Sequence, residues 1–509
     1  MIGISTAIFK TFNVCKVIFA PMTFNRLFLL FFLILFIFSC RNDEEFIEDN
    51  SAKLEFSTDS ISFDTVFTTI GSVTQNFRIY NPHKKAIRIN SVRLLGGSNS
   101  NFRINIDGLS GNDIKNLEIP AQDSLFAFIE VTINPDNSLN PFVIEDFIEF
   151  TTNGNQQRII LTAWGQNAIY YTPTSFNRNL PDFTCLTGPC SDVIAPVDVT
   201  WTDSLPIVIY GFIAIDTLDK LTIEAGTKIH FHQGGGMWVY RGGSLTVNGT
   251  KQDPVVFRGD RLEPGFEDVP GQWDRIWINE GAINTINYAI IQNAFVGIQA
   301  EALFLNGTPI EQGNLRLKNT VIKNCSGIGL LTAYFNIAAE NTIITNCGEY
   351  NAVIQWLGNW VFDHCTFANY ATGTGRETPS VFVKNNYSVG ASLFVDPPNV
   401  TFRNCIIYGS LDSEFNIEEI NNKGSNVSVL NSILKTDENT SDANKYLNIL
   451  KNPPDEIFKD ANASDFELYD ISRARNIGSV GVGSLVPFDY NGDDRRIDGQ
   501  PDAGAYEFQ

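Results

Sequence analysis

The sequence predicts an all-β protein, an antiparallel β-sandwich followed by a right-handed parallel β-helix solenoid, and three observations predict it. Residues 53–165 hold seven or more short runs in which apolar and polar residues alternate, such as "NFRIYN" and "RIILTAWG", divided by Gly, Asn and Pro. A period of two marks strands with one buried face, and frequent turns mark an antiparallel sandwich. Farther along, "NTVIKNC" at residues 319–325 returns 22 residues later as "NTIITNC" at residues 341–347. A repeat of about 20–25 residues with several short strands is the mark of a solenoid. Almost no segment sustains a 3.6-residue apolar period, and 39 Phe beside 39 Gly suit β-structure with tight turns.

The elements follow in chain order. Residues 27–38 read "LFLLFFLILFIF", too short to span a bilayer core comfortably but suited to a signal peptide, assigned to residues 1–39. Residues 1–21 fit this poorly; a compact signal would start at Met22, with Arg26 as its positive charge. The ending "IFSC" resembles a lipobox, which implies a diacylglycerol on Cys40 and cleavage before it. An uncleaved anchor is the alternative and leaves the same domains outside the membrane. Residues 40–52 form a tether whose "RNDEEF" resembles a surface-export signal of one Gram-negative phylum. The resemblance implies a lipoprotein of the outer membrane displayed on the cell surface, with the periplasmic face of that membrane as the alternative.

Residues 53–168 are the sandwich. Its "FDTVFTTIGS", "DSLFAFIEVTINP" and "TTNGNQQRIILTAWGQ" resemble immunoglobulin-like domains near the start of many Gram-negative surface lipoproteins. That implies a spacer or docking module with no catalytic group. Residues 169–196 read as a linker. Within it, "CLTGPC" places Cys185 and Cys190 around a Gly-Pro turn, and an exported chain favours a small disulfide loop there.

Residues 197–463 are the solenoid. Six segments share a short β-rich run, a turn residue, a small residue and a further apolar run; the turn residues are Asn293, Asn324, Asn346, His364, Asn404 and Asn431. One coil cannot bury its own apolar face, so neighbouring coils stack and share a core. Leucine-rich repeats have similar length but need several Leu at fixed positions, and β-branched residues with Asn turns dominate here. The hand follows the rule for parallel crossovers. Coils stack at about 4.8 Å, so equivalent Asn amides can bond along the axis, and Asn tolerates left-handed turns. Cys325, Cys347, Cys365 and Cys405 are expected in or near one inward file, as free buried thiols filling space.

The stretch from "LTIEAGTKIHFHQGGGMWVY" to "PGQWDRIWI" resembles the opening coils of bacterial pectin-lyase-like β-helix proteins, and "DYNGDDRRIDGQPDAGAYEF" resembles their terminal signature. Residues 464–509 are accordingly expected to cap the solenoid end. The resemblance implies glycan-related function, as the fold hosts polysaccharide lyases, hydrolases and many non-enzymes.

Chemistry is harder to find. A charge of −21 disfavours nucleic acid as a partner and implies solubility first, calcium collection second. A polygalacturonase-like set is mostly missing: "RLK" at residues 316–318 has no Gly-His-Gly beside it, and the Asp pair, Asp493 and Asp494, lies in the terminal segment. No Asp cluster recurs at coil spacing to hold the calcium of a lyase, and "DYNGDD" departs from an EF-hand where Asp494 and Gln500 stand. No cofactor or metal site is assigned. His230 and His232 lack a third ligand and read as an exposed strand face. Trp356 and Trp360, flanking Gly358, are the candidate sugar-stacking platform. The expectation is a monomeric surface lipoprotein binding an extracellular polymer, most simply a glycan. A lyase or hydrolase acting on an acidic polysaccharide, or a purely structural envelope component, are the alternatives.

Overall fold

The computed structural model describes residues 45–135, 139–190, 196–263, 265–305, 308–309, 311–371, 375–454, 457–497 and 499–509. The signal segment 1–39, Cys40 and the first part of the tether lie outside the described residues.

The chain is nearly all β, as expected. Two five-stranded sheets come first, closed over Phe63, Phe77, Ile89, Phe102, Phe150 and Leu161. One pairing departs from the antiparallel expectation: Ser60–Phe67 runs parallel to Asn155–Gln166. The rest of the domain separates these strands, so no hairpin dictates their direction.

Three long parallel sheets follow, of 11, 9 and 10 strands, here called A, B and C. Each coil of chain visits A, then B, then C, and Ile, Val, Leu and Phe from all three fill one continuous core. This is a parallel β-helix. It starts earlier than the sequence suggested, because the described part of the expected linker 169–196, residues 169–190, already carries two strands of the parallel sheets. Ile169–Tyr171 pairs with Ile207–Ile209 in sheet A, and Phe183–Cys185 pairs with Phe212–Ile215 in sheet B. They build the first coil, with strands of only three residues too short to show a period. Cys185 and Cys190 are disulfide-bonded at the end of its sheet-B strand, with their Cα atoms 5.1 Å apart.

All six turn residues have left-handed φ: Asn293 64°, Asn324 55°, Asn346 53°, His364 51°, Asn404 53° and Asn431 50°. They occupy two corners rather than one file. Asn293, Asn324 and Asn346 turn the chain from A to B; His364, Asn404 and Asn431 turn it from C to A, above Asn319 and Asn341. The motif "NTVIKNC" is therefore one Asn at each end of a three-residue sheet-A strand, Val321–Lys323 in one coil and Ile343–Thr345 in the next. The cysteines divide in the same way. Cys325 and Cys347 follow the first corner, Cys365 and Cys405 the second, and all four are free and buried.

The amides stack in part. Asn324 Nδ2 donates to Asn293 Oδ1 at 2.7 Å, and Asn341 Nδ2 to Asn319 Oδ1 at 3.0 Å. Asn346 turns away: its amide donates to Ser464 Oγ at 2.8 Å, and its carbonyl accepts from Tyr370 N at 3.0 Å. The longest ladder lies at the start of the sheet-C strands, where no motif pointed. Asn336, Asn359, Asn399 and Asn426 each donate to the Asn one coil before, beginning at Asn314, at 3.3, 3.0, 3.2 and 2.8 Å.

The terminal segment does not cap the solenoid end. From residue 457 it lies along the outside of sheet A, where Phe458, Phe466, Ala474, Ala503 and Ala505 cover outward Ile343, Ala368, Ile406 and Ile433. Its contacts run from Lys251, which donates to Asn491 O at 2.5 Å, through Tyr288, against Tyr490, to Asn431, which donates to Ile477 O at 3.2 Å. Sheet A thus has apolar side chains on both faces, which explains its unbroken β-branched runs. The "DYNGDD" turn sits in this lateral strap.

Candidate functional site

Sheet A is covered by the strap, and of the two remaining faces sheet B carries the stacked pair Trp238 and Trp277. Register carries one outward column through Trp238, Trp277, Gln299, Leu331, Val353 and Phe382. Trp277 to Phe382 is four coil steps, about 19 Å of surface. A neighbouring column runs Glu301, Ala333, Gln355, Lys384, Glu418. Two hairpins rise beside this face, Phe304–Leu305 with Thr308–Pro309 and Asn386–Val389 with Ser392–Val395.

Glu301 is the centre of the arrangement. Its Oε1 accepts from Trp277 Nε1 at 3.0 Å and Gln299 Nε2 at 2.6 Å, while Oε2 accepts from Tyr387 Oη at 2.7 Å. Burial first, then the Glu301 charge, pushes the Tyr387 phenol up, so it stays protonated and donates. Trp277 stacks on Trp238 with ring centroids 5.1 Å apart and planes 11° apart, and Trp238 Nε1 donates to Asn279 Oδ1 at 2.7 Å. Arg275 is paired with Asp274 at 2.7 Å and also donates to Gln299 Oε1. Lys384 lies 3.8 Å from Glu418.

Trp356 and Trp360 do not form a platform. Trp360 is 1% exposed and points into the coil, where its Nε1 donates to Thr332 Oγ1 at 3.3 Å. Trp356 is 4% exposed, at the B-to-C corner, under Phe304, Tyr334, Tyr387 and Phe394. Spacing of four across a corner puts one ring inside and the other outside. Trp356 instead braces the two hairpins that wall the sheet-B face.

His230 is not exposed either. The sandwich covers it: the Phe67 ring lies 4.9 Å from the imidazole, and Nδ1 meets Gly259 O at 3.2 Å. Burial lowers its pKa to about 4. His232 stays at the surface, its ring tilted against Tyr210 with centroids 4.5 Å apart and bonded to Asp260 Oδ2 at 2.7 Å. Among the described residues, no cluster of three His, Cys, Asp or Glu could hold a metal ion. A recess of about 580 Å³ between Lys323, Asn324, Tyr370 and Asn462 is weaker as a site, since the Asn324 amide is spent on Asp268 O and Asn293.

Trp277, Glu301 and Tyr387 were missed in the sequence. Trp277 sits in "DRIWI", whose alternation turns Arg275 and Trp277 to one side, a signal that was there to use. Tyr387 comes from a hairpin turned by Gly390 at φ 58°, and nothing local ties it to Glu301, 86 residues away.

No family model matches the chain, and no curated protein matches it. Among solved structures, a family 123 glycoside hydrolase from Clostridium perfringens aligns with TM-score 0.16 and 11% identity, over 22% of this chain and 26% of that one. The chain therefore spans only 26% of that enzyme's length. The ASH/PapD-like domain 7 of human CEP192 aligns with TM-score 0.16 and 12% identity, over 31% of this chain and 97% of that one. The catalytic domain of a GH87 α-1,3-glucanase, solved with nigerose, aligns with TM-score 0.18 and 10% identity, over 75% and 88%. At such TM-scores the likeness carries no argument about function.

Proposed function

We propose that this chain is a surface lipoprotein of an outer membrane, held by a lipid on Cys40, that presents the outer face of sheet B to an extracellular polymer, a glycan. The observation that carries the reading is Glu301, a carboxylate locked by three neutral donors on an aromatic face walled by two hairpins. Such a group is a fixed acceptor for ligand hydroxyls, and a long, flat face suits a chain molecule better than a small one.

Binding is favoured over catalysis. A lyase base must give up its proton near neutral pH, and Tyr387 is pushed the other way. A glycosidase works with two carboxylates flanking one bond, and the partners of Glu301 are Trp277, Gln299 and Tyr387, with no second carboxylate among them. The test is a glycan array run beside an assay for new reducing ends and unsaturated products. Retention on a glycan without product, lost in Trp277→Ala, is the expected result. Product formation would make it an enzyme, and no retention on any glycan would sink the reading.

A further inference from the structure

We infer that the sheet-B face selects an uncharged, hydroxyl-rich glycan and rejects polyuronates. The inference rests on the glycan reading above and specifies its ligand class; it runs against the acidic polysaccharide that the resemblance in sequence suggests. It follows from where the charges sit.

A face that binds a polyuronate needs cations free to meet one carboxylate per sugar. Lys384, on these columns, and Arg275, beside Trp277, are both already engaged. Arg275 is held by Asp274 at 2.7 Å and by Gln299, and Lys384 is held 3.8 Å from Glu418. Negative charge is left over. No cation pairs with Glu301 among the described residues, and its three donors are all neutral. Farther along the same face, Glu419, Asp437 and Glu438 line a recess of about 550 Å³ beside Phe382 and Asn416, together with the Glu418 that pairs with Lys384. A bound polyuronate would place its carboxylates beside these like charges, close enough for them to repel.

An uncharged sugar meets the same groups favourably. The carboxylate of Glu301 has four acceptor sites, of which three are filled. The remaining one can take a sugar hydroxyl as a charge-assisted hydrogen bond. Gln355 lies two coil steps along the same column and offers an amide that both donates and accepts. Leu331 and Phe382, on the adjacent column, offer apolar surface to the C–H faces of the rings. Each feature suits a ligand that is polar without being charged.

The experiment is affinity electrophoresis of the whole exported protein in gels holding neutral glucans, neutral mannans or polygalacturonate, at low and high salt. Wild type should be retarded by a neutral polymer, with retention unchanged by salt, and should pass polygalacturonate freely. Glu301→Gln should weaken neutral binding about tenfold or more and raise retention on polygalacturonate. Opposite signs are the signature, because mere loss of structure would weaken both; thermal melting of each variant checks the fold. Polygalacturonate bound as tightly as neutral polymer, with loss in Trp277→Ala, would overturn the charge selection and leave the glycan reading standing. Neutral binding that survives Trp277→Ala would overturn the assignment to this face. No retention on any polymer would overturn both.

Discussion

Arg495 Nη2 donates to Asn341 Oδ1 at 3.0 Å, joining the strap to a coil corner 154 residues earlier in the chain. The guanidinium is fully buried, with Nη1 on Glu507 Oε2 at 3.1 Å and Nη2 also on Gly504 O at 3.2 Å. Asn341 returns a second contact by donating to Phe488 O at 2.8 Å. One side chain thus serves the ladder below it and the strap beside it.

Asn341→Leu should therefore cost more than the same change at an exposed rung. It strands Arg495 and the Phe488 carbonyl in a buried setting, a loss of about 1–3 kcal/mol. Asn359→Leu, in the sheet-C ladder, breaks solvent-exposed bonds and should cost under about 1 kcal/mol. Hydrogen exchange should show deprotection over residues 319–345 and the strap in Asn341→Leu, with the sandwich unchanged. Equal effects of the two variants would mean that the strap contact adds nothing.

A second pair is buried as well. Arg376 and Glu414 are 2% and 0% exposed in their side chains, and they meet by two bonds of 2.8 Å. Glu414 also accepts from Ser380 N and Leu411 N. Removing one partner leaves an uncompensated charge, so Arg376→Met should cost about 3–5 kcal/mol. Arg376→Met combined with Glu414→Leu should recover part of that loss. Urea unfolding of the single and double variants measures both terms.

The buried imidazole of His230 makes the sandwich–solenoid contact sensitive to acid. Its pKa falls from 6.5 to about 4 on folding, so between those values the unfolded chain binds the extra proton. Stability from this site is complete above pH 6.5 and declines as pH falls to about 4, by about 3 kcal/mol in total. His364, lowered in the same direction by burial and then by Arg495, adds to the slope. His230→Phe should flatten part of the stability–pH curve between pH 6.5 and 4. An unchanged curve would show that His230 already opens to water in the native state.

Anchoring can be checked directly. Cys40→Ala should abolish incorporation of labelled fatty acid and leave the protein unprocessed or released. A chain begun at Met22 should be exported and processed as well as the full one. Continued labelling of Cys40→Ala would remove the lipobox assignment.

Fold class was legible because periodicity and turn chemistry act locally. Asn324 and Asn346 announce left-handed corners wherever they sit, and "NTVIKNC" repeats because each coil meets the same two corners. What did not show was anything decided across coils. Whether Asn346 bonds its neighbour or Ser464 depends on a strap 118 residues away. Trp356 and Trp360 look alike in sequence and are parted by a corner. Trp277, Glu301 and Tyr387 meet only once three separate segments are laid side by side, so their meeting left no short motif.

A solenoid whose coils touch only their neighbours can peel from either end, one layer at a time. The strap changes that. It grips corners from Tyr288 to Asn431 at once, so the coils between cannot loosen singly without tearing the splint that spans them. The middle of the molecule becomes a stiff beam, and a tug delivered by a ligand on sheet B is shared among its layers instead of unzipping the outermost one.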